Sequence, residues 1–179
     1  MVALETLKAD PSIMHGDIYV CFVPDEEVGL CGSKKMDFSK FPVDFAYTID
    51  CCELGEVVYQ TFNAGSATIK VQGVTAHPMS AKNTLVNPTL VCVDVINCLD
   101  RMQTPEHTEG TEGFIWVESM QTNVSEATLN LKIRDHSKAM YESRKKFITD
   151  AVEYVKAKNP KAKVQLKIVD VYGNIADAI

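Results

Sequence analysis

Two adjacent carboxylates, Glu26 and Glu27, stand in the segment Pro24-Asp25-Glu26-Glu27-Val28-Gly29, directly after an apolar run from Ile18 to Val23. A second apolar run, Phe45 to Ile49, also ends in an acid, Asp50. If the two runs are neighbouring parallel strands, all three acids lie at the carboxyl edge of one sheet, where open α/β sheets bind ligands. Carboxylates clustered there repel one another unless a proton or a metal intervenes. Adjacent residues in a strand or turn point in different directions. One of the pair can therefore bind a metal while the other addresses a water beside it, the division of labour used in zinc-dependent hydrolysis. A solvated acidic turn is the competing reading. Three acids do not complete a metal site, so these residues suggest a site that is only partly present.

Other polar residues add less. His77 precedes Pro78 in a loop after a strand, a position with no packing reason for an imidazole. Arg134 projects from the polar side of a strand, where its guanidinium could grip a carboxylate at two points; a salt bridge to Asp135 or another neighbour is the plainer alternative. His107 and His136 read as surface residues, and His15, placed before a strand, is unremarkable. Asn123-Val124-Ser125 fits a glycosylation acceptor, but without a secretion signal the match means little.

Composition narrows the function classes. With 18 basic against 24 acidic residues the net charge is −6, which argues against a nucleic-acid partner. No apolar run reaches the roughly 18 residues needed to cross a bilayer, and residues 1–10 lack the features of a signal peptide. The six cysteines include the adjacent pair Cys51 and Cys52 but no CxxC spacing. Buried, reduced thiols in a cytosolic protein fit this pattern better than structural zinc.

The acids must be positioned by secondary structure. Residues 1–60 predict a helix over Val2 to Lys8, strands over Asp17 to Val23 and Phe45 to Asp50, and a short helix near Ser33 to Met36. Two parallel strands with one crossover bury too little to stand alone, so this part is expected to be an incomplete parallel-sheet portion of a larger α/β domain. Residues 61–172 carry a self-sufficient pattern. Ala67, Ile69 and Val71 alternate with polar residues, as do Ala127, Leu129, Leu131 and Ile133, and later Val164, Leu166 and Ile168. Gly113 to Met120 is strand-like. Asn87 to Met102 has helical spacing through Leu90, Val91, Val95, Ile96, Leu99 and Met102. Ser137 caps a second long helix with an inner stripe of Met140, Phe147, Ile148, Ala151, Val152 and Val155, stopped by Asn159-Pro160. The order β-α-β-β-α-β predicts a ferredoxin-like α+β domain with one face of its sheet left open.

In order along the chain, Pro24-Asp25-Glu26-Glu27-Val28-Gly29, Tyr47-Thr48-Ile49-Asp50, His77-Pro78 with Ala81-Lys82, Glu109-Gly110 with Glu112-Gly113-Phe114, and Ile133-Arg134-Asp135 resemble the peptidase T family. Its members are tripeptide aminopeptidases within the co-catalytic zinc aminopeptidase, carboxypeptidase and aminoacylase superfamily. The resemblance implies that Glu26 is the general base, that Glu27 and Asp50 each bind one of two zinc ions, that His77 reaches a partner subunit's active site to polarise the scissile carbonyl, and that Arg134 holds a substrate carboxylate. It also implies that residues 61–172 are a lid and homodimerisation domain, and that 173–179 begin the return to the catalytic domain.

Departures qualify this. Cys51 and Cys52 follow Asp50 where the family has glycines, and Met79 stands where it often has glycine. The family's early histidine-aspartate motif, its bridging aspartate and its late histidine ligand are absent, so the chain is expected to be an internal portion of a longer enzyme and inactive by itself. Two alternatives remain: a hydrolase of N-acyl amino acids or dipeptides, and a non-catalytic dimerisation module.

Overall fold

The computed structural model describes residues 2–50 and 53–178. Expectations about Cys51 and Cys52 fall outside these residues. The chain divides into two units, Met1–Asp50 and Cys51–Ile179.

The first unit contains helix α1 (Val2–Ala9) and single 3-10 turns at Ser33–Lys35 and Phe38–Lys40. Among its described residues no strand forms, in contrast to the expected strands at 17–23 and 45–50. A strand exists through hydrogen bonds to a neighbour, and these two runs make no ladder with each other. Their side chains are correspondingly uncovered: Phe22, Tyr47 and Ile49 are all exposed, Ile49 almost completely at 98%. Apolar patterning marked segments suited to a sheet, but it did not supply the pairing.

The second unit follows the predicted order: β1 (Asn63–Gln72), α2 (Pro88–Cys98), β2 (Phe114–Thr122), β3 (Glu126–Asp135), α3 (Lys138–Lys158) and β4 (Lys163–Tyr172). The four strands form one antiparallel sheet in the order β2-β3-β1-β4, the ferredoxin-like arrangement. One face carries Ala67, Ile69 and Val71 of β1 with Leu129, Leu131 and Ile133 of β3, all at most 1% exposed. Val91, Cys92 and Val95 of α2 and Ile148, Val152 and Val155 of α3 cover them. Burial pushes the Cys92 thiol up to about 11, which keeps it protonated and unreactive. The opposite face holds Ser66, Thr68, Asn130, Lys132 and Arg134. Thr68 donates to Asn130 Oδ1 at 3.1 Å and Asn130 donates to Ser119 at 3.0 Å, a polar rung across three strands.

Two helix details differ from the sequence expectation. Helix α2 starts after Asn87, whose side chain accepts from Thr89 N, but ends at Cys98. Asp100 then caps a separate 3-10 turn by accepting from Met102 N at 2.9 Å. This competing local bond breaks the helix and leaves Met102 exposed. In α3, capped by Ser137 as expected, Met140 and Phe147 are exposed and Tyr141 is buried. The inner line runs through Tyr141, Ile148, Ala151, Val152 and Val155; the last four are as expected, and Tyr141 takes the place of Met140 at its N-terminal end. A phenol can lie there because its hydroxyl donates to Asp170 at 2.6 Å.

At the β2–β3 hairpin, Asn123 Oδ1 accepts from Ser125 N, Ser125 Oγ and Glu126 N. The asparagine of the apparent glycosylation signal thus builds the turn.

Candidate functional site

Glu26 and Glu27 lie in a tight turn between Pro24 and Cys31. Gly29 N and Leu30 N both bond to Glu26 O, at 3.1 and 3.0 Å, and Cys31 N bonds to Asp25 O at 3.1 Å. Gly29 has φ +103, a conformation that L side chains resist, which accounts for glycine at the end of this segment. The turn leaves both glutamate side chains exposed, and Asp50 is exposed as well. Among the described residues no three His, Cys, Asp or Glu side chains converge on a point that could hold a metal. Zinc takes four ligands in a structural site and three plus water in a catalytic one. The donors present here therefore do not by themselves fit a zinc ion, and no reaction step follows from them alone.

His77 occupies the loop after β1 and caps the 3-10 turn Pro78–Ser80. Its Nδ1 accepts from Met79 N at 3.3 Å. In the neutral ring this bond assigns the proton to Nε2, leaving that nitrogen as a donor on an exposed side chain.

Arg134 sits near the end of β3 on the open sheet face. Its Nη1 donates to Ile133 O at 2.9 Å and to Gly65 O at 3.2 Å. Its guanidinium carbon lies 5.7 Å from the centroid of the Tyr172 ring. Among the described residues no ion pair includes Arg134. The expected alternative, a bridge to Asp135, does not form, because consecutive strand residues face opposite ways. Asp135 points to the helix side and pairs with Arg144 of α3, Nε to Oδ2 at 2.8 Å. Arg144 Nη1 also donates to Gln103, and Ser137 N donates to Asp135 Oδ1 at 2.9 Å. A half-buried guanidinium with no ion pair among the described residues keeps donors that an anion could take.

Close packing explains part of the Glu112-Gly113-Phe114 motif. A Cβ on Gly113 would stand 1.9 Å from Asp135 Oδ2 and 2.7 Å from Arg134 O. Glycine is needed there for β2 to approach the Asp135–Arg144 pair. Phe114, directly opposite Arg134 in the β2–β3 register, meets Phe62 edge to face at 5.6 Å.

An open pocket of about 680 Å³ lies nearby, with Gln103, His107, Glu112, His136 and Arg144 on its wall. His136 Nδ1 is buried there without a hydrogen-bond partner among the described residues. None of the five expected site residues lines this pocket.

Sequence reasoning missed Asp135, Arg144 and Tyr172. The first two are nine positions apart on different elements, with no periodic signal linking them. Alternation through Val164, Leu166 and Ile168 assigns position 172 to the buried face. The register shift between Ala64 and Gly65 instead pairs Ala64 with Tyr172 and Gly65 with Asp170, which turns Tyr172 toward Arg134.

The chain is 53% identical over 179 residues to a peptidase T-like protein of Yersinia pestis, covering all of this chain and 43% of that protein. Against the peptidase T of Fusobacterium nucleatum the identity is 39% over 177 residues, covering 99% of this chain and 43% of that protein. In fold it is similar to a tripeptidase from Staphylococcus aureus, with a TM-score of 0.81 at 24% identity, over 96% of this chain and 46% of that one. The chain thus spans less than half the length of the curated relatives it matches. No helix among the described residues is long and apolar enough to cross a membrane. Residues 59–163, the stretch that builds most of the ferredoxin-like unit, match the family model of the peptidase dimerisation domain, and the chain belongs to that family.

Proposed function

We propose that this chain is the central portion of a cytoplasmic, zinc-dependent aminopeptidase that removes the N-terminal residue from tripeptides. The observation that carries the reading is the 39% identity to a peptidase T across 99% of the chain. Residues 61–172 then serve as lid and homodimerisation domain, and 173–179 lead back toward the catalytic part.

Each residue has a role in this reading. Glu26 takes the proton of the attacking water, as a general base. Glu27 and Asp50 would each give a carboxylate to a two-zinc centre completed by the rest of the longer enzyme, and the metals would supply Lewis-acid activation. His77, with its Nε2 proton, donates to the scissile carbonyl of a substrate held by the partner subunit. Arg134 grips the substrate's terminal carboxylate. Its uncompensated charge on the open face supports that role.

A chimera tests the reading. This chain replaces the matched residues of the Fusobacterium peptidase T, and hydrolysis of trialanine, dialanine and N-acetylalanine is compared. Preference for trialanine is expected. Preference for N-acetylalanine or dialanine would move the activity to another branch of the same chemistry. A folded, dimeric, inactive chimera would favour a purely architectural role.

A further inference from the structure

We propose that Tyr172 is a positioning residue that seats the Arg134 guanidinium, fixing which of its edges is offered to a carboxylate. The seat is built across the sheet. Phe114, Arg134, Ala64 and Tyr172 occupy one row across all four strands in the order β2-β3-β1-β4. Ala64 is completely buried although it lies on the open face. The bond from Arg134 Nη1 to Gly65 O carries the guanidinium over β1, so Ala64 is the floor beneath it. Tyr172 stands at the far side, 5.7 Å from the guanidinium carbon and itself 40% exposed.

Three constraints then act on one group. Two carbonyls occupy Nη1. The small side chain of Ala64 permits the approach. The Tyr172 ring attracts the cation through its negative face. With Nη1 engaged, the Nε and Nη2 edge remains for a carboxylate, and that edge is suited to two-point binding. The bulge in β4 is essential, since regular alternation would direct Tyr172 away from Arg134. The carboxylate part of this inference rests on the proposed role of Arg134, whereas the seat itself does not.

The test uses the full 179-residue chain and nuclear magnetic resonance of the arginine side chains, with trialanine and trialanine amide as probes. In the wild type, Arg134 is expected to show separate Nη signals from restricted rotation and an upfield ring-current shift of its δ protons. Trialanine should move its Nε–H signal, and the amide should not. Tyr172→Phe retains all of this, because the ring face is kept. Tyr172→Leu merges the Nη signals, removes the ring-current shift and weakens trialanine binding by about three-fold, with the other β4 amide signals in place. Ala64→Val provides a second route, raising the floor with Tyr172 intact, and should also remove the ring-current shift. Unchanged rotation and binding in Tyr172→Leu would overturn the proposal. So would an unchanged ring-current shift in Ala64→Val, the deciding result should Tyr172→Leu not fold. If trialanine leaves the wild-type Nε–H unmoved while Tyr172→Leu still releases the guanidinium, the seat stands and the carboxylate role of Arg134 falls.

Discussion

Asp135 and Arg144 form a 2.8 Å ion pair that joins the end of β3 to α3, with side chains only 6% and 10% exposed. The pair lies on the helix side of the sheet, so its neighbour Arg134 keeps its charge for the open face. Arg144→Met removes the cation and leaves a buried carboxylate with the Ser137 N–H as its remaining partner. Breaking one side of a buried pair costs about 3–5 kcal/mol. Urea unfolding should show this loss. Adding Asp135→Asn should recover part of it, because the uncompensated charge is gone.

Gly113→Ala tests the same pair from the neighbouring strand. The new methyl would stand 1.9 Å from Asp135 Oδ2 and 2.7 Å from a backbone oxygen. Side-chain movement alone cannot relieve the second contact. Overpacking of this kind costs about 1–3 kcal/mol. Thermal unfolding should report the loss, and a variant as stable as the wild type would show that β2 is free to move away from the Asp135–Arg144 pair.

Acid sensitivity should have a contribution from Asp170. Its carboxylate accepts from the Tyr141 hydroxyl at 2.6 Å and from Lys145 at 2.9 Å, and these bonds, the tyrosine's first, lower its pKa below 3.8. A lowered folded-state value gives stability that is present above the unfolded-state pKa and is lost as pH falls through the folded one. Asp170 is 64% exposed, so solvent screening limits the effect to about 1 kcal/mol. Asp170→Asn should therefore lower stability at pH 7 by about that amount. The gap between variant and wild type should close as pH falls below 3.8. A gap independent of pH down to the acid limit would mean that the bonds do not favour the charged form.

Zinc binding by the chain alone should be weak. Glu27 and Asp50 are exposed, and no set of three donors converges among the described residues. Calorimetry with zinc is expected to show no pair of tight sites. Two tight sites per chain would contradict this expectation.

The ferredoxin-like unit was largely legible in the sequence because its signals are local. Period-two runs such as Ala127 to Ile133 each mark a strand, and Ser137 and Asn87 mark helix starts at the observed caps. Pairing in the first unit was not legible, since apolar runs do not specify their hydrogen-bond partners. Tyr141 and Tyr172 were missed for different reasons. A buried tyrosine depends on a distant acceptor, Asp170, and an outward tyrosine depends on a one-residue bulge. Of the expected site residues, Arg134 and His77 lie on the second unit, and their binding roles belong to the proposal. Glu26, Glu27 and Asp50 remain part of the proposal through their motifs.

Catalysis by Glu26 is tested most directly in the chimera that carries this chain within the Fusobacterium peptidase T. Glu26→Gln is predicted to lower kcat for trialanine by about 10²–10⁴-fold with bound zinc unchanged, because a base that binds no metal can be neutralised without metal loss. An unchanged kcat, or a fall in zinc content parallel to the fall in activity, would contradict the assignment.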